Sequence, residues 1–396
     1  MSNSPIKIGY CLSLSGGLAA NGLTARLAHQ IWQEDVNSRG GLLGRQVELV
    51  CVDDKTDPNG VAPIYQSLLD DENVDLLLAG YGNNSISPAM PLVMEHEKYF
   101  VGLMGLAVNN DLKYDKFFCM IPTGSDPNVA LTQGLFEAAS QLAGKPKTMA
   151  ILAADAAFSK NPIAGARANA AKHGIEVLSE AKYSLTTEDY SEVVKAQTEG
   201  SPDILFLCSY INDSVGLLRA VGETGIEPML VGGAMIGPQS STVQRQLGPL
   251  LNGVVNYEYW LPTSAMAFPG VQELISRYQA RAVGTEADTL GYYVAPCAYA
   301  QLQVLEQAVR GTDGLVDADL AEYTHSEVFH TVMGDVKFSP QGEWDQPRVL
   351  TIQFQNIGSN DIEEFRSSEA RLVVFPDEYS SGSLRTFGAA KKISSK

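Results

Sequence analysis

The sequence predicts an α/β protein with two Rossmann-like lobes, each built on a parallel central sheet, that are joined by a hinge of several chain crossings. The chain has 396 residues, which is too long for one ordinary core and enough for two lobes. Short apolar runs alternate with amphipathic stretches, which is typical of βαβ units in a parallel sheet covered on both faces. The alternation occurs in two successive series, and it changes after Trp260.

The first series predicts one α/β lobe at the start of the chain. Its apolar runs predict strands, and the amphipathic stretches between them predict helices. The predicted strands cover residues 6–14, 47–53, 74–79 and 99–103, and the strand pattern breaks near residues 117–122. The predicted helices cover residues 24–37, 61–70, 88–96 and 126–142.

The second series predicts another sheet of the same construction, with turn sequences at residues 144–147 and 200–203. The predicted strands cover residues 148–153, 176–183, 204–208, 229–232 and 253–257. The predicted helices cover residues 162–173, 190–198, 213–224 and 240–247.

The last part of the chain predicts a return to the first lobe and then to the second. Long helices are predicted over residues 270–283 and 288–310, and antiparallel strands over residues 331–357 with a Pro-Gln-Gly turn at 340–342. The expected division is an N-terminal lobe of residues 1–122 and 258–333, a C-terminal lobe of residues 123–257 and 334–375, and a C-terminal tail of residues 376–396.

The composition excludes several classes of function. Hydrophobic residues make up 45% of the chain and charged residues 19%, which is typical of a folded protein. The net charge of −18 repels phosphate backbones and anionic lipids, so we expect no nucleic-acid partner. No apolar run reaches the roughly 18 residues that a membrane span needs.

Cysteine and histidine spacing predicts neither a disulfide framework nor a metal site. The five cysteines are scattered, mostly in apolar runs, and the five histidines are isolated. Glycines after the predicted strands lack the spacing of a dinucleotide or phosphate loop. We therefore expect neither a metal nor a cofactor.

Catalytic motifs are also missing, so we predict that the chain is not an enzyme. Asp53 and Asp54 end a strand and point to opposite faces, so they cannot act together on a substrate. We interpret them, with Asp57, as formers of a turn and a helix cap. The opening sequence Met-Ser-Asn-Ser-Pro shows no signal peptide, so the chain is expected to be either cytoplasmic or a mature exported form.

A polar segment, Asn83-Asn84-Ser85, follows the predicted strand 74–79 and carries the strongest indication of a ligand. Ligands of open α/β sheets bind outside the carboxyl ends of strands. Pro88 is suited to a first helical turn, where free N–H groups can bind a carboxylate. The alternative is simple capping of the helix by Ser85 or Ser87.

Aromatic residues follow the strands of the second series and are expected to face a cleft. Phe158, Tyr210 and Met235 lie at strand ends, and Tyr257, Tyr259 and Trp260 stand where the chain leaves the lobe. Flat rings can bury an apolar ligand at little entropic cost. The alternative is that these rings complete the edge of the core.

The order of several motifs resembles type I periplasmic binding proteins, and most closely the Leu/Ile/Val-binding group. The resemblance covers residues 5–357 and is carried by the segments 6–9, 14–16, 37–45, 52–58 and 331–338. It implies two lobes that close on a ligand by a hinge motion, and a membrane permease of an ABC importer as the partner. It also implies a periplasmic location, with an export signal removed from the mature chain.

The resemblance also implies a set of ligand-binding positions. In the family, a Ser-rich loop and backbone groups hold the ligand carboxylate, and they match Asn83, Asn84, Ser85, Leu106 and Ala107. A Thr hydroxyl and an acidic residue hold the ammonium, but here these positions fall on Val108 and on Ala234 or Met235. The flanking rings match Phe158 and Tyr210, Asn21 replaces the aromatic residue of the first lobe, and we add Trp260.

These departures predict a ligand without an α-amino group. A buried ammonium that lacks an acceptor costs several kcal/mol, enough to remove micromolar affinity. We therefore expect a hydrophobic or aromatic carboxylate, such as a benzoate-like acid, as the small-molecule partner. The alternatives are a branched-chain or other amino acid as ligand, a ligand sensor of the amide-responsive type, and an enzyme built on two Rossmann lobes.

Overall fold

The computed structural model describes residues 4–393 and divides the chain into two compact units. Unit 1 contains Met1–Ser125 and Ala267–Pro347, and unit 2 contains Asp126–Met266 and Arg348–Lys396. The chain therefore changes unit after Ser125, after Met266 and after Pro347. Each change comes later in the sequence than the boundaries predicted above.

The first pass of the chain builds most of the sheet of unit 1. Its strands are β1 (Ile6–Leu12), β2 (Val47–Asp53), β3 (Leu76–Leu77), β4 (Phe100–Gly102) and β5 (Phe117–Cys119). Its helices are α1 (Ala19–Ser38), α2 (Pro58–Asp70) and α3 (Asn83–Glu95). The order β2-β1-β3 is parallel, as is the pair β4-β5. The N–H of Ala79 donates to Val101 O at 3.1 Å and links the two groups of strands.

The second pass builds the centre of unit 2. Its elements are α4 (Pro127–Ala139), β6 (Thr148–Ala154), α5 (Lys160–Lys172), β7 (Glu176–Tyr183), α6 (Ser191–Thr198), β8 (Ile204–Ser209), α7 (Ile211–Thr224), β9 (Leu230–Met235), α8 (Ser241–Leu247) and β10 (Val254–Glu258). Residues of β6, β8 and β9 are almost all buried, as a parallel sheet covered on both faces requires.

The last two passes complete the units in turn. In unit 1 they add α9 (Val271–Ala282), α10 (Ala295–Thr312), α11 (Asp317–Ser326), β11 (Val328–Thr331) and β12 (Gly334–Lys337). In unit 2 they add β13 (Leu350–Phe354), α12 (Ile362–Arg366), β14 (Arg371–Phe375) and α13 (Phe387–Ile393). The sheet of unit 2 has the order β14-β13-β10-β9-β8-β6-β7, in which β13 pairs antiparallel with both neighbours. The predicted α/β class is confirmed.

The predicted C-terminal tail of residues 376–396 belongs to unit 2 where the structure describes it, up to residue 393. Phe387 is only 2% exposed, and its backbone N–H donates to Met229 O at 2.7 Å. The side chain of Gln353 in β13 donates to Arg385 O at 2.8 Å and accepts from Arg385 N at 2.9 Å. The described part of the segment after β14 is therefore packed on unit 2, and residues 394–396 of the predicted tail lie outside the described residues.

Two predicted elements after Trp260 also differ from the structure. The helix predicted to start at residue 288 begins at Ala295, because the Asp288 carboxylate accepts from Leu290 N and Gly291 N and forms a turn instead. Strands β11 and β12 are joined at residues 332–333, not by the Pro-Gln-Gly turn. That turn closes a separate bridge between Phe338 and Trp344.

The acidic residues at the end of β2 have the structural role predicted for them. Asp53 accepts from the backbone N–H groups of Leu14 and Lys55, and Asp54 accepts from the Ser13 hydroxyl at 2.6 Å. Asp57 caps α2 by accepting from Asn59 N at 3.0 Å.

The described residues form neither a membrane-spanning helix nor a cluster of metal ligands. No helix within residues 4–393 is both long and apolar enough to cross a bilayer. Within the same range, no group of three or more His, Cys, Asp or Glu side chains is arranged to hold a metal ion. All five cysteines are free thiols.

Candidate ligand-binding site

In unit 1, the predicted polar loop is the first turn of helix α3. The helix begins at Asn83, so it starts earlier than predicted, and Pro88 lies inside it instead of in its first turn. Gly82 is the N-cap residue with φ of 76°, a conformation that glycine adopts without strain. The first N–H groups of an α-helix have no acceptors within the helix, so this turn is suited to binding an anion.

The side chain of Asn83 holds the backbone of Leu106. Its Nδ2 donates to Leu106 O at 2.8 Å, and its Oδ1 accepts from Leu106 N at 2.9 Å. Both polar atoms of the amide are thus used inside the protein. Asn83 therefore positions residues 103–110, the segment after β4, which we call the ligand loop.

Ser85 and Asn84 differ in their surroundings. Ser85 is 2% exposed, and its Oγ lies 3.3 Å from Cys11 Sγ in the core beneath α3. Asn84 is half-buried in the same turn. Contact of either side chain with a ligand stays a prediction.

The ligand loop is fixed at several points. Ala107 has a φ of 55°, an unusual value for a residue other than glycine, and Leu106 is 1% exposed. Cys119 Sγ donates to Gly105 O at 3.2 Å, and the Asn109 side chain donates to Tyr114 O and Gln341 O. Because these contacts already order the loop, a ligand that bound there would pay less entropy for ordering it.

Asn21 belongs to a chain of polar side chains that the sequence analysis missed. It lies in the first turn of α1, is 5% exposed, and donates from Nδ2 to the Tyr81 hydroxyl at 2.6 Å. Tyr81 in turn donates to the Tyr293 hydroxyl at 3.4 Å. The signal for Tyr81 was its place at the end of a strand between Gly80 and Gly82, whereas Tyr293 has no local signal.

In unit 2, Phe158 and Tyr210 form a preassembled aromatic pair. Their ring centroids are 6.1 Å apart with an interplanar angle of 76°, and Phe158 N donates to the Tyr210 hydroxyl at 3.2 Å. Tyr210 is the N-cap residue of α7, directly after β8. Burial, the largest cause, raises the pKa of Tyr210 to about 12, so its hydroxyl stays neutral and retains its proton.

The other predicted residues of unit 2 are packed inside it. Ala234 and Met235 end strand β9 and are fully buried. The Asn256 amide accepts from Met235 N at 3.0 Å and donates to Met235 O at 2.8 Å. Trp260 is 2% exposed, and its Nε1 donates to Met266 O at 2.9 Å. Their contact with a ligand stays a prediction.

An acidic residue near the aromatic pair was missed. Asp213 follows Tyr210 by three positions, is 4% exposed, and accepts from the Tyr183 hydroxyl at 2.6 Å. Burial raises its pKa, and its charge contributes to the raised pKa of Tyr210. From the sequence alone, an Asp in the first turn of a helix is indistinguishable from an ordinary helix-start residue.

Comparisons with known proteins agree with this architecture. Residues 5–349 match the family described as periplasmic binding protein. Leu/Ile/Val-binding protein homolog 8 from Brucella abortus is 25% identical over 287 residues, which are 70% of this chain and 70% of the relative.

Two solved structures illustrate the similarity of the fold. The branched-chain amino acid transporter substrate-binding protein LivJ from Streptococcus pneumoniae, in complex with isoleucine, has a TM-score of 0.76 at 16% identity, covering 94% of this chain and 100% of that chain. A solute-binding protein of an ABC transporter from Rhodopseudomonas palustris, in complex with 3,4-dihydroxybenzoic acid, has a TM-score of 0.74 at 16% identity, covering 89% of this chain and 94% of that chain.

The fold is that of the solute-binding class of proteins. The chain belongs to the periplasmic binding protein family. Its predicted resemblance to the type I, Leu/Ile/Val-binding group is confirmed. The similar proteins named above are binding proteins, and the absence of catalysis in this chain stays a prediction.

Proposed function

We propose that this chain is the solute-binding component of an ABC importer and that it binds a small hydrophobic or aromatic carboxylate. The observation that carries the proposal is the first turn of α3 beside a ligand loop held by Asn83, because it offers backbone N–H groups to an anion. The neutral residue Val108 at the position that the family uses for the ammonium supports the same reading.

The rest of the ligand is apolar in this proposal. Phe158 and Tyr210 offer a preassembled pair of rings in unit 2, which suits an aromatic or branched hydrocarbon group. A 3,4-dihydroxybenzoic acid complex of a protein with the same fold supports the aromatic choice. We further propose that the ligand is held by residues of both units when they close, and that the closed protein delivers it to a membrane permease from the periplasm.

A hydrophobic amino acid is the second candidate, and Asp213 is the observation that favours it. Its buried carboxyl near Tyr210 offers a negative charge that an ammonium group needs. The two candidates differ in a single chemical group of the ligand, so matched compounds can separate them.

Isothermal titration of the purified protein with paired ligands tests the proposal. Leucine and 4-methylpentanoate differ only in the α-amino group, and benzoate and benzamide differ in the carboxylate. We expect benzoate or 4-methylpentanoate to bind at least about tenfold more tightly than leucine, which corresponds to about 1.4 kcal/mol. Tight binding of leucine with weak binding of both acids would reject the carboxylate proposal and support the second candidate.

A further inference from the structure

Glu343 is a buried acid that the proposed binding mode does not use. The residue is 2% exposed, and neither of its carboxyl oxygens has a hydrogen-bond partner among the residues that the structure describes. A charged carboxylate in such surroundings costs several kcal/mol, and native proteins leave few buried polar groups unpaired. Such surroundings favour the neutral, protonated form of this carboxyl.

The backbone around Glu343 is held firmly against strand β5. Gly342 O accepts from Cys119 N at 2.8 Å, and Glu343 O accepts from Ser339 N at 2.7 Å. Gly342 has φ of +79°, and a Cβ atom there would lie 1.9 Å from Phe117 O, so only glycine fits. These contacts hold the backbone of Gly342 and Glu343 in place while the Glu343 side chain is buried.

Cys119 connects Glu343 to the ligand loop. The Cys119 backbone is hydrogen-bonded to Gly342, the residue before Glu343, and the charge of Glu343 contributes, after burial, to the raised pKa of the Cys119 thiol. The same thiol donates to Gly105 O at 3.2 Å, and the next residue, Leu106, is held by Asn83. A continuous series of contacts thus runs from Glu343 to the backbone that we assign to the ligand carboxylate.

The groups around Glu343 favour its neutral form. Burial raises the pKa of Glu343 to about 8, so most of it carries a proton at neutral pH. The charge of Glu343 acts on the pKa of the buried Cys119 thiol in β5, and Cys297 in α10 acts on the same thiol. The charged residues of its own segment, Lys337 and Asp345, are exposed.

We infer that Glu343 is a positioning residue whose proton keeps the ligand loop in its binding conformation, so that ligand binding is coupled to the binding of one proton. When the carboxyl loses its proton, the segment 339–343 must open toward solvent, which releases Cys119 from Gly342 and loosens Gly105 and Leu106. The inference rests on the proposed function, because it takes residues 103–110 as part of the ligand site.

Benzoate titrations of three proteins test this coupling, because the benzoate carboxylate does not titrate near neutral pH. The proteins are the wild type, Glu343→Gln, and Asp345→Asn as a control that removes an exposed carboxyl from the same segment. If only the protonated form binds, the wild-type Kd rises by up to about 30-fold between about pH 7 and about pH 9.5. We expect the same rise in Asp345→Asn and a flat profile in Glu343→Gln. An equal rise in wild type and Glu343→Gln would overturn the inference.

Hydrogen exchange of the unliganded proteins separates this inference from the proposed function. At about pH 9, peptides covering residues 103–110 should exchange faster in wild type than in Glu343→Gln, whereas at about pH 7 the two should match. Comparison at the same pH removes the intrinsic effect of pH on exchange. If benzoate binds at no pH, the proposed aromatic ligand is wrong, and hydrogen exchange still tests the role of Glu343. Equal protection of residues 103–110 in wild type and Glu343→Gln at about pH 9 would refute that role.

Discussion

Asn83 and Leu106 are joined by two hydrogen bonds, of 2.8 and 2.9 Å, in which one side-chain amide replaces a neighbouring strand. Unit 2 repeats the arrangement at Asn256 and Met235, with bonds of 3.0 and 2.8 Å. In each unit an asparagine thus fixes the backbone of a residue that the family resemblance assigns to the ligand. Each amide thus uses its oxygen and its nitrogen to hold a backbone segment, and contact of Asn83 with a ligand stays a prediction.

Asn83→Ala is expected to weaken benzoate binding by at least about tenfold. The substitution removes both hydrogen bonds between the Asn83 side chain and the Leu106 backbone, at a cost of about 1–3 kcal/mol, and lets the ligand loop move. Isothermal titration measures the change, and Ser87→Ala, at an exposed position of the same helix, is the control. Wild-type affinity in Asn83→Ala would show that the Asn83–Leu106 pair does not shape the site.

Asp213→Asn distinguishes the two candidate ligands. The asparagine can still accept from the Tyr183 hydroxyl, but it removes a negative charge near Tyr210. Benzoate should bind a few-fold more tightly, since about 1 kcal/mol of repulsion is lost, whereas leucine should bind more weakly. Asn212→Ala, at the exposed neighbouring position, should change neither affinity. Weaker benzoate binding in Asp213→Asn would show that the Asp213 charge does not repel the benzoate carboxylate.

His29 is expected to make the protein less stable in mild acid. Burial lowers the pKa of His29 to about 4, and its Nε2 lies 3.1 Å from Gln301 Oε1. The unfolded chain takes up the proton below about pH 6.5 and the folded protein does so only near pH 4, so stability is lost as the pH falls through this window. Between about pH 7 and about pH 5 the loss is about 2 kcal/mol.

Urea unfolding at the two pH values measures the contribution of His29. The His29→Gln variant should lose this part of the pH dependence, while His96→Gln, at an exposed histidine, should keep it. If both variants respond to pH as the wild type does, the acid sensitivity has another origin.

Glu258 and Arg371 form a buried ion pair, so substitutions of the two residues should have non-additive effects on the free energy of unfolding. Their side chains are each 1% exposed, and Arg371 Nη1 lies 3.6 Å from Glu258 Oε1. Arg371→Met should lower the free energy of unfolding by about 3–5 kcal/mol, because it removes the cation that faces the buried Glu258 carboxylate. The double variant with Glu258→Gln should recover much of this loss in urea unfolding. Additive effects of the two substitutions would mean that the pair is not coupled.

The sequence predicted the fold well because the pattern of each element is local. Continuous apolar runs identified the buried strands β6, β8 and β9, whose residues face helices on both sides. The start of α3 was predicted at Pro88, because proline is common in the first turn of a helix. The helix instead begins at Asn83, and its N-cap residue is Gly82 with a positive φ.

The candidate site was predicted only in part, because its main contacts join distant residues. Asn83 was singled out for its own polar groups, but its partner Leu106 is 23 positions away and binds through its backbone. Glu343 and Cys119 come together only through the packing of the segment 339–343 on β5. No spacing rule within a single helix or strand describes such pairs.

The dependence of the ligand loop on an amide has a consequence for the chemical ageing of the protein. Slow hydrolysis of the Asn83 side chain would replace its donor NH₂ group by an oxygen, so that two acceptors would face Leu106 O and Leu106 N. The shape of the side chain would hardly change, yet one of its two bonds would turn into a repulsion. A stored preparation could therefore lose binding capacity while its fold and its mass, within one dalton, remained the same.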